Sequence, residues 1–269
     1  MNNYFDTKNI ADRYEKGRPY FHIDTILSIK NYLALTTKLD KALDVGCGTG
    51  LSTKALLEIA KHIHATDIST EMLRNAYKHE NITYIKAKAE EQLFPPDSFD
   101  MITVSSGIHW FDIDRFLEEA NRVLRPGKWL VIYDSFYNGE MLGAERFNEW
   151  YQVVYCKKFP PPPRNNNYIW SNEHLRDKNL LFVAEEQCKY KTSLTMNQFV
   201  LYLTTQSNIT AQVEQGSTCY SEIEKWLYNE LKPFFTTEKR TFIFEGWIKY
   251  LQKQSKESIN FQEVNQTVK

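Results

Sequence analysis

The sequence predicts an α/β fold, a mostly parallel sheet with helices on both faces. Three observations carry this. Apolar strand-like runs alternate with amphipathic stretches through residues 41–134, a glycine-rich turn follows the first of those runs, and the second half changes character, setting helices between two strand candidates. Strand and helix in steady alternation indicate a parallel sheet, because parallel neighbours need a crossover and an amphipathic helix is the usual one.

The elements follow in order. KALDVG (41–46) is a buried strand, and STKALLEIAKH (52–62) a helix that packs through Leu56, Leu57, Ile59 and Ala60. IHATDI (63–68) and ITYIKA (82–87) are the next strands, with STEMLRNAYKH (69–79) a helix between them. After Pro95 and Pro96, FDMITVSS (99–106) is a buried strand and DIDRFLEEANRVL (112–124) a helix. Arg125-Pro126-Gly127 is a turn, since Pro126 blocks helix continuation and Gly127 supplies a left-handed backbone. KWLVIYD (128–134) is the fifth strand.

The run PPPPRNNN (160–167) can be neither helix nor central strand and is a loop. FVAEEQCKY (182–190) and KRTFIFEGWIKYLQK (239–253) are the remaining strands. Between them, TMNQFVLYLTTQSNI (195–209) and YSEIEKWLYNELKPFF (220–235) are amphipathic helices. Tyr202, Trp226, Tyr228, Phe234 and Phe235 can line a small-molecule pocket under those helices, but helical spacing favours core packing for each. The tail ESINFQEVNQTVK (257–269) is polar and expected to fray.

A chain of 269 residues with 42% hydrophobic content builds a substantial core and is not disordered. A formal net charge of −1, with acids and bases mixed, argues against a general nucleic-acid binder. The polar start MNNYFDTKNIADRYEKG has no apolar signal region, and no run approaches the roughly 18 apolar residues of a membrane span. Cys47, Cys156, Cys188 and Cys219 form no C-x-x-C pair, which fits reduced thiols in a cytoplasmic protein. His62 and His64 share a strand face without a third ligand, so no metal is expected.

Gly46, Gly48 and Gly50 sit between the first strand and its helix. Glycine accepts positive φ and lets a ligand approach the main chain, and a helix start offers N–H groups. Asp67 closes the second strand about 20 residues on, where a carboxylate can accept both ribose hydroxyls. Together these imply a nucleoside-containing ligand. The spacing is G-x-G-x-G, with Leu51 where a dinucleotide site wants its third glycine, and no G-K-[ST] follows for a P-loop.

LDVGCGTG, ATDISTEML, FDMITVSSGIHWFD and LRPGKWLVI, in this order and spacing, resemble the class I S-adenosylmethionine (SAM)-dependent methyltransferases, in particular the type 11 small-molecule group. YEKGRPYF and HWFD make the chain similar to the trans-aconitate methyltransferase-like branch, which methylates carboxylates. The resemblance implies a Rossmann-like sandwich: a seven-stranded, mostly parallel sheet with an antiparallel edge hairpin and a helical cap. It also implies one domain, with cofactor-covering helices at 1–40, the SAM-binding core at 41–134, a cap insertion at 192–237 and the last strand and tail at 238–269.

By the same resemblance, Gly46, Cys47 and Gly48 run beneath the methionine part of SAM. Asp44 fixes the glycine turn or reaches the amino group through water. Asp67 holds the ribose, Ile68 flanks the adenine, and Ala89 and Glu90 grip its edge, with Lys88 replacing the usual Asp or Ser. Ser105 and Ser106 lie near the methyl. Tyr14, Arg18 and Tyr20 cover the cofactor, and Arg18 either pairs with the carboxylate of SAM or of the acceptor or is an exposed arginine before a proline turn. His109 and Trp110 face the acceptor. His109 either serves as catalytic base or holds a hydrogen bond at a helix start.

The expected function is SAM-dependent methylation of a small-molecule acceptor, foremost a carboxylate oxygen of an organic acid. An ionised carboxylate needs no general base. Methylation of O, N or C on another metabolite and non-catalytic SAM binding are the alternatives; a nucleotide-dependent oxidoreductase is disfavoured by the glycine spacing. The absence of N-P-P-[YF] after the fourth strand, and of a Pro-Cys pair, argues against adenine, glutamine and cytosine targets. No nucleic-acid, membrane or obligatory protein partner is expected.

Overall fold

Residues 42–45, 101–104 and 130–132, apolar but for Asp44 and Thr103, are buried almost completely with Ile63 and Ala65, as strands covered on both faces must be. In a computed structural model that describes residues 8–255, except 166, 215 and 217, they form the centre of a seven-stranded sheet. The strands are β1 (Leu39–Val45), β2 (Ala60–Asp67), β3 (Ile82–Lys86), β4 (Phe99–Ser105), β5 (Leu124–Met141), β6 (Leu180–Thr195) and β7 (Lys239–Lys253). Their spatial order is β3-β2-β1-β4-β5-β7-β6; the first five run parallel and β7 is antiparallel to both its neighbours. This is the expected mostly parallel sheet with its antiparallel edge hairpin. The chain reverses its direction of travel across the sheet between β1 and β4, and a crevice opens there beyond the strand ends.

The first two helices are α1 (Lys8–Gly17) and α2 (His22–Tyr32). Two core helices are shorter than expected: α3 spans Leu51–Leu56 and α4 spans Thr70–Arg74. The predicted helix end at 59–62 is lost because Ala60 pairs with Leu39 and Lys41 with His62, so β2 claims those residues. The predicted helix at 69–79 ends early because the Asn75 side chain donates to Glu71 O (3.0 Å) and the Tyr77 N–H donates to Thr49 O (3.1 Å), drawing the chain to the glycine turn. The next helix, α5 (Ile113–Val123), begins as expected, with Asp112 accepting from the Arg115 N–H.

The Arg125-Pro126-Gly127 turn interrupts the pairing at the start of β5, between Phe99↔Leu124 and Met101↔Trp129. Asp100 fastens it, accepting from Arg125 (2.7 Å) and from the N–H groups of Asp40 and Lys41 (3.1 Å each).

β5 continues to Met141 and pairs with β7 as far as Phe242, making an arm above the crevice. The aromatics Tyr137, Phe242 and Phe244 of this arm belong to one apolar core with Phe147, Phe199 and Tyr202. A helical stretch of α6 (Glu145–Trp150), a π-helical turn (Tyr151–Tyr155) and α7 (Cys156–Lys158) was not expected. The proline run after it forms no helix or strand, and α8 (Asn172–Leu175) precedes β6. The cap is α9 (Met196–Thr204), α10 (Ser207–Glu214) and α11 (Tyr220–Leu231); β6 runs to Thr195 before it begins. Residues 1–7 and the polar tail at 257–269 lie outside the described residues. Among the described residues, no helix is long and apolar enough to cross a membrane.

Candidate active site

The turn after β1 is built from its glycines. Gly46 and Gly48 have φ of 70° and 54°, a region that side-chain-bearing residues avoid. A Cβ on Gly48 would meet no heavy atom within 4 Å. The N–H groups of Gly46 and Cys47 both donate to Thr66 O (2.8 and 3.0 Å), and the Gly48 N–H donates to Asp67 Oδ2 (2.8 Å). Asp67 Oδ1 accepts from the Ser69 N–H (2.8 Å). The turn thus spends three N–H groups on the tip of β2, which disfavours a pyrophosphate there and leaves a bare main chain against the crevice.

Asp44 lies beneath this turn, fully buried. Its carboxylate accepts from Ser52 Oγ (2.6 Å), Thr53 Oγ1 (2.7 Å) and Thr103 Oγ1 (3.0 Å), clamping the start of α3 to β1 and β4. Burial raises its pKa, and the three hydroxyls oppose that shift.

A cavity of about 720 Å³ fills the crevice. At the glycine end its wall includes Gly46, Gly48, Asp67 and Glu90, with the apolar Ile68, Met72, Ala89 and Phe111 beside them. Glu90 accepts from the Asp112 N–H (2.8 Å), which ties the loop after β3 to the start of α5. Toward the cap, the wall includes Ser105, Ser106, His109 and Trp110, then Asp134 and Tyr137 of β5, and Tyr151, Cys156 and Phe159 of the α6–α7 stretch. Arg18, Arg164 and Tyr202 complete it.

The charges at this second end are unusual. Arg18 donates to Thr205 O (3.1 Å), with its guanidinium over the Tyr14 ring at 4.7 Å, and its Nε is buried with no partner. Arg164 donates to Ser207 Oγ and stands over the Trp110 ring at 5.5 Å; its Nε is likewise buried without a partner. Burial pulls the Arg164 pKa down. Among the described residues, neither guanidinium forms an ion pair with a carboxylate. Asp134 is half-buried in the same wall, accepts from the Ser135 N–H (2.8 Å), and has its pKa raised by desolvation. His109 Nδ1 lies 4.0 Å from Asp134 Oδ2, yet burial, with Arg164 and Arg18 nearby, lowers the His109 pKa to about 3. At neutral pH this imidazole is uncharged.

Of the residues expected at the site, Tyr14, Arg18, Gly46, Gly48, Asp67, Ile68, Ala89, Glu90, Ser105, His109 and Trp110 share the cavity wall. Three stand outside it. Asp44 is under the turn; Cys47 is 5% exposed and packs in the core beside α3; Tyr20 is 38% exposed, its ring 5.6 Å from Lys54 Nζ. Tyr202 reaches the wall, whereas Trp226, Tyr228, Phe234 and Phe235 pack against the cap core. Sequence reasoning missed Asp134, Tyr137, Tyr151 and Arg164. Arg164 carried a signal: it is the charged residue that ends four prolines, a stiff segment able to carry it to one place.

Residues 43–132 match the family model described as a methyltransferase domain. The chain is 26% identical over 242 residues to a Dictyostelium discoideum protein named as a methyltransferase, covering 87% of this chain and 89% of that one. It is 24% identical over 266 residues to a Saccharomyces cerevisiae protein named as S-adenosylmethionine-dependent, covering 85% and 89%. A solved structure from Anaeromyxobacter dehalogenans, described as a type II methyltransferase, shares the fold at 23% identity and a TM-score of 0.64, covering 84% and 95%.

Proposed function

The chain is a class I SAM-dependent methyltransferase, and from that premise we propose that it methylates a carboxylate oxygen of a small organic acid. One observation carries the acceptor assignment: two half-buried arginines, each with a buried and unpartnered Nε, line the cavity that also holds the glycine turn. Two partly desolvated cations that share the single carboxylate of Asp134 are incompletely compensated, and an anionic ligand removes that cost.

The residues present fit the donor. Gly48 offers main chain unobstructed by side chains, Gly46 is approached by the Phe111 ring, Asp67 is suited to accept ribose hydroxyls, and Ile68, Met72, Ala89 and Phe111 suit a purine face. Glu90 stands beside them for the base edge, and Tyr14 lines the same cavity with its ring against Arg18. When bound, SAM supplies a methyl group on a positively charged sulfur, activated for transfer to a nucleophile.

The chain's own work is then alignment. Arg18 and Arg164 hold anions in fixed orientation, bidentate geometry being natural to guanidinium. Ser105 and Ser106, at the end of β4, line the space between the two ends. The cap helices keep water out, which strengthens each charged contact. A carboxylate acceptor arrives ionised and asks for no base, and a histidine with a pKa near 3 is a poor one at neutral pH. His109 and Trp110 then shape the acceptor end.

Asp134 supports a second reading, an amine acceptor held by that half-buried carboxylate. Transfer from radiolabelled SAM to pooled acids and pooled amines, by the wild type and by Arg164→Met, separates the two. The acid reading requires label in the acid pool and its loss in the variant; label confined to amines rejects it.

A further inference from the structure

We propose that the acceptor is a monocarboxylic acid with an apolar body, aliphatic or aromatic, and that Arg164 takes its carboxylate while the body lies against the wall made by Tyr151, Cys156 and Phe159. This rests on the carboxylate reading above and narrows it.

The polar groups at the cap end are mostly spent inside the protein. The Tyr151 hydroxyl donates to Tyr137 O (3.2 Å). The Asn208 amide donates to Phe159 O (2.9 Å) and its Oδ1 accepts from the Ile209 N–H (2.9 Å). Asn138 donates to Glu245, and Ser207 accepts from Arg164. What these residues turn toward a ligand is carbon: the rings of Tyr151 and Phe159, with Cys156 and Pro161 in the same wall. The π-helical turn explains the pairing of Tyr151 with Cys156. At five residues apart they would diverge on an α-helix, whereas a π turn brings i and i+5 into line.

Charge points the same way. The carboxylate of SAM is offset by its own ammonium group, and at the acceptor end two guanidiniums, Arg18 and Arg164, less the one carboxylate of Asp134 leave one net positive charge. The remaining cation of the cavity wall, Lys88, stands with the loop after β3 and hydrogen-bonds Glu91 at 3.4 Å. One acceptor carboxylate can therefore be matched. A second would lie among carbon and Asp134, desolvated and without a cation. The Tyr137 hydroxyl, buried with no partner, suffices for a single further polar contact.

The test uses the full chain with SAM and a matched acid series: straight-chain monocarboxylates of graded length, an aromatic monocarboxylate, and the dicarboxylate of each chain length. The expected result is at least a tenfold higher kcat/KM for an apolar monocarboxylate than for its dicarboxylate partner. Cys156→Trp, which fills the wall, should move the preferred length to shorter acids; a thermal melt checks that it folds. Faster turnover of dicarboxylates overturns this proposal and leaves the carboxylate reading standing. A length preference unchanged in a folded Cys156→Trp variant also overturns it. Methylation of no acid at all overturns both.

Discussion

Asp67 at the tip of β2 accepts the main-chain N–H of Gly48 at 2.8 Å, so the carboxylate proposed to hold the ribose is also the tie that shapes the glycine turn. Its other oxygen holds the Ser69 N–H ahead of α4. Turn and cofactor site are one unit.

Replacing Asp67 should therefore affect two properties at once. Asp67→Ala is expected to weaken SAM binding by about 2 kcal/mol for a lost charged hydrogen bond, and to destabilise the fold by about 1–3 kcal/mol through the unpaired N–H groups. Asp67→Asn, which keeps one acceptor, should recover part of the stability. Calorimetry with SAM and thermal melts of both variants give the two numbers; unchanged affinity contradicts the ribose assignment.

Asp134→Asn distinguishes acid from amine acceptors by sign. Removing a half-buried negative charge near Arg18 and Arg164 should lower KM for an acid by about 1–2 kcal/mol, roughly 5–30-fold, at the effective dielectric of such sites. Burial raises the Asp134 pKa, so the carboxylate ionises progressively as pH rises. The wild-type KM for an acid should climb over that interval while the variant stays flat. An amine acceptor would give the reverse, with activity lost in the variant.

Acid should destabilise the protein through two desolvated histidines, His109 buried and His22 half-buried. His22, bonded to the Tyr133 hydroxyl at 3.2 Å, has its pKa lowered to about 4, and His109 to about 3, burial being the first cause of both. Their folded values lie below the ordinary value of 6.5. The unfolded chain therefore takes up protons first; the stability is complete above pH 6.5 and falls as pH drops toward 4. Each histidine contributes a slope of about 1.4 kcal/mol per pH unit in that window. Melts from pH 7 to 4.5 should show it, and His22→Gln should halve it; a melting temperature independent of pH contradicts the burial argument.

Gly17 seats α1 on the cap. A Cβ there would lie 2.7 Å from Thr205 Cγ2 and 2.9 Å from Leu201 O. Gly17→Val should cost about 1–3 kcal/mol of overpacking, relieved by lifting α1 from α9. Arg18 follows directly in the chain, so the KM of both ligands should rise while the sheet core keeps its far-ultraviolet circular dichroism. Unaltered kinetics would mean that α1 takes no part in closing the site.

The rhythm of residues 41–134 made the parallel sheet legible, because buried strands need unbroken apolar runs and each crossover needs an amphipathic face. The glycine turn and Asp67 were legible for the same local reason. Helix ends were not: Ala60 and Tyr77 answer to partners on β1 and the glycine turn, which local periodicity does not record. The acceptor end was largely hidden. Asp134 sits where β5 leaves the sheet for its arm, Arg164 arrives on a loop from beyond α7, and Tyr151 depends on a π turn that has no periodic signature. Such residues meet only through long-range packing.

The most direct measurement is the alkali lability of the methyl group that the full chain transfers from labelled SAM to an organic acid. The account predicts an ester, whose label is released as volatile methanol in mild base and whose formation falls sharply in Arg164→Met. A base-stable product, or transfer indifferent to the loss of Arg164, would contradict it.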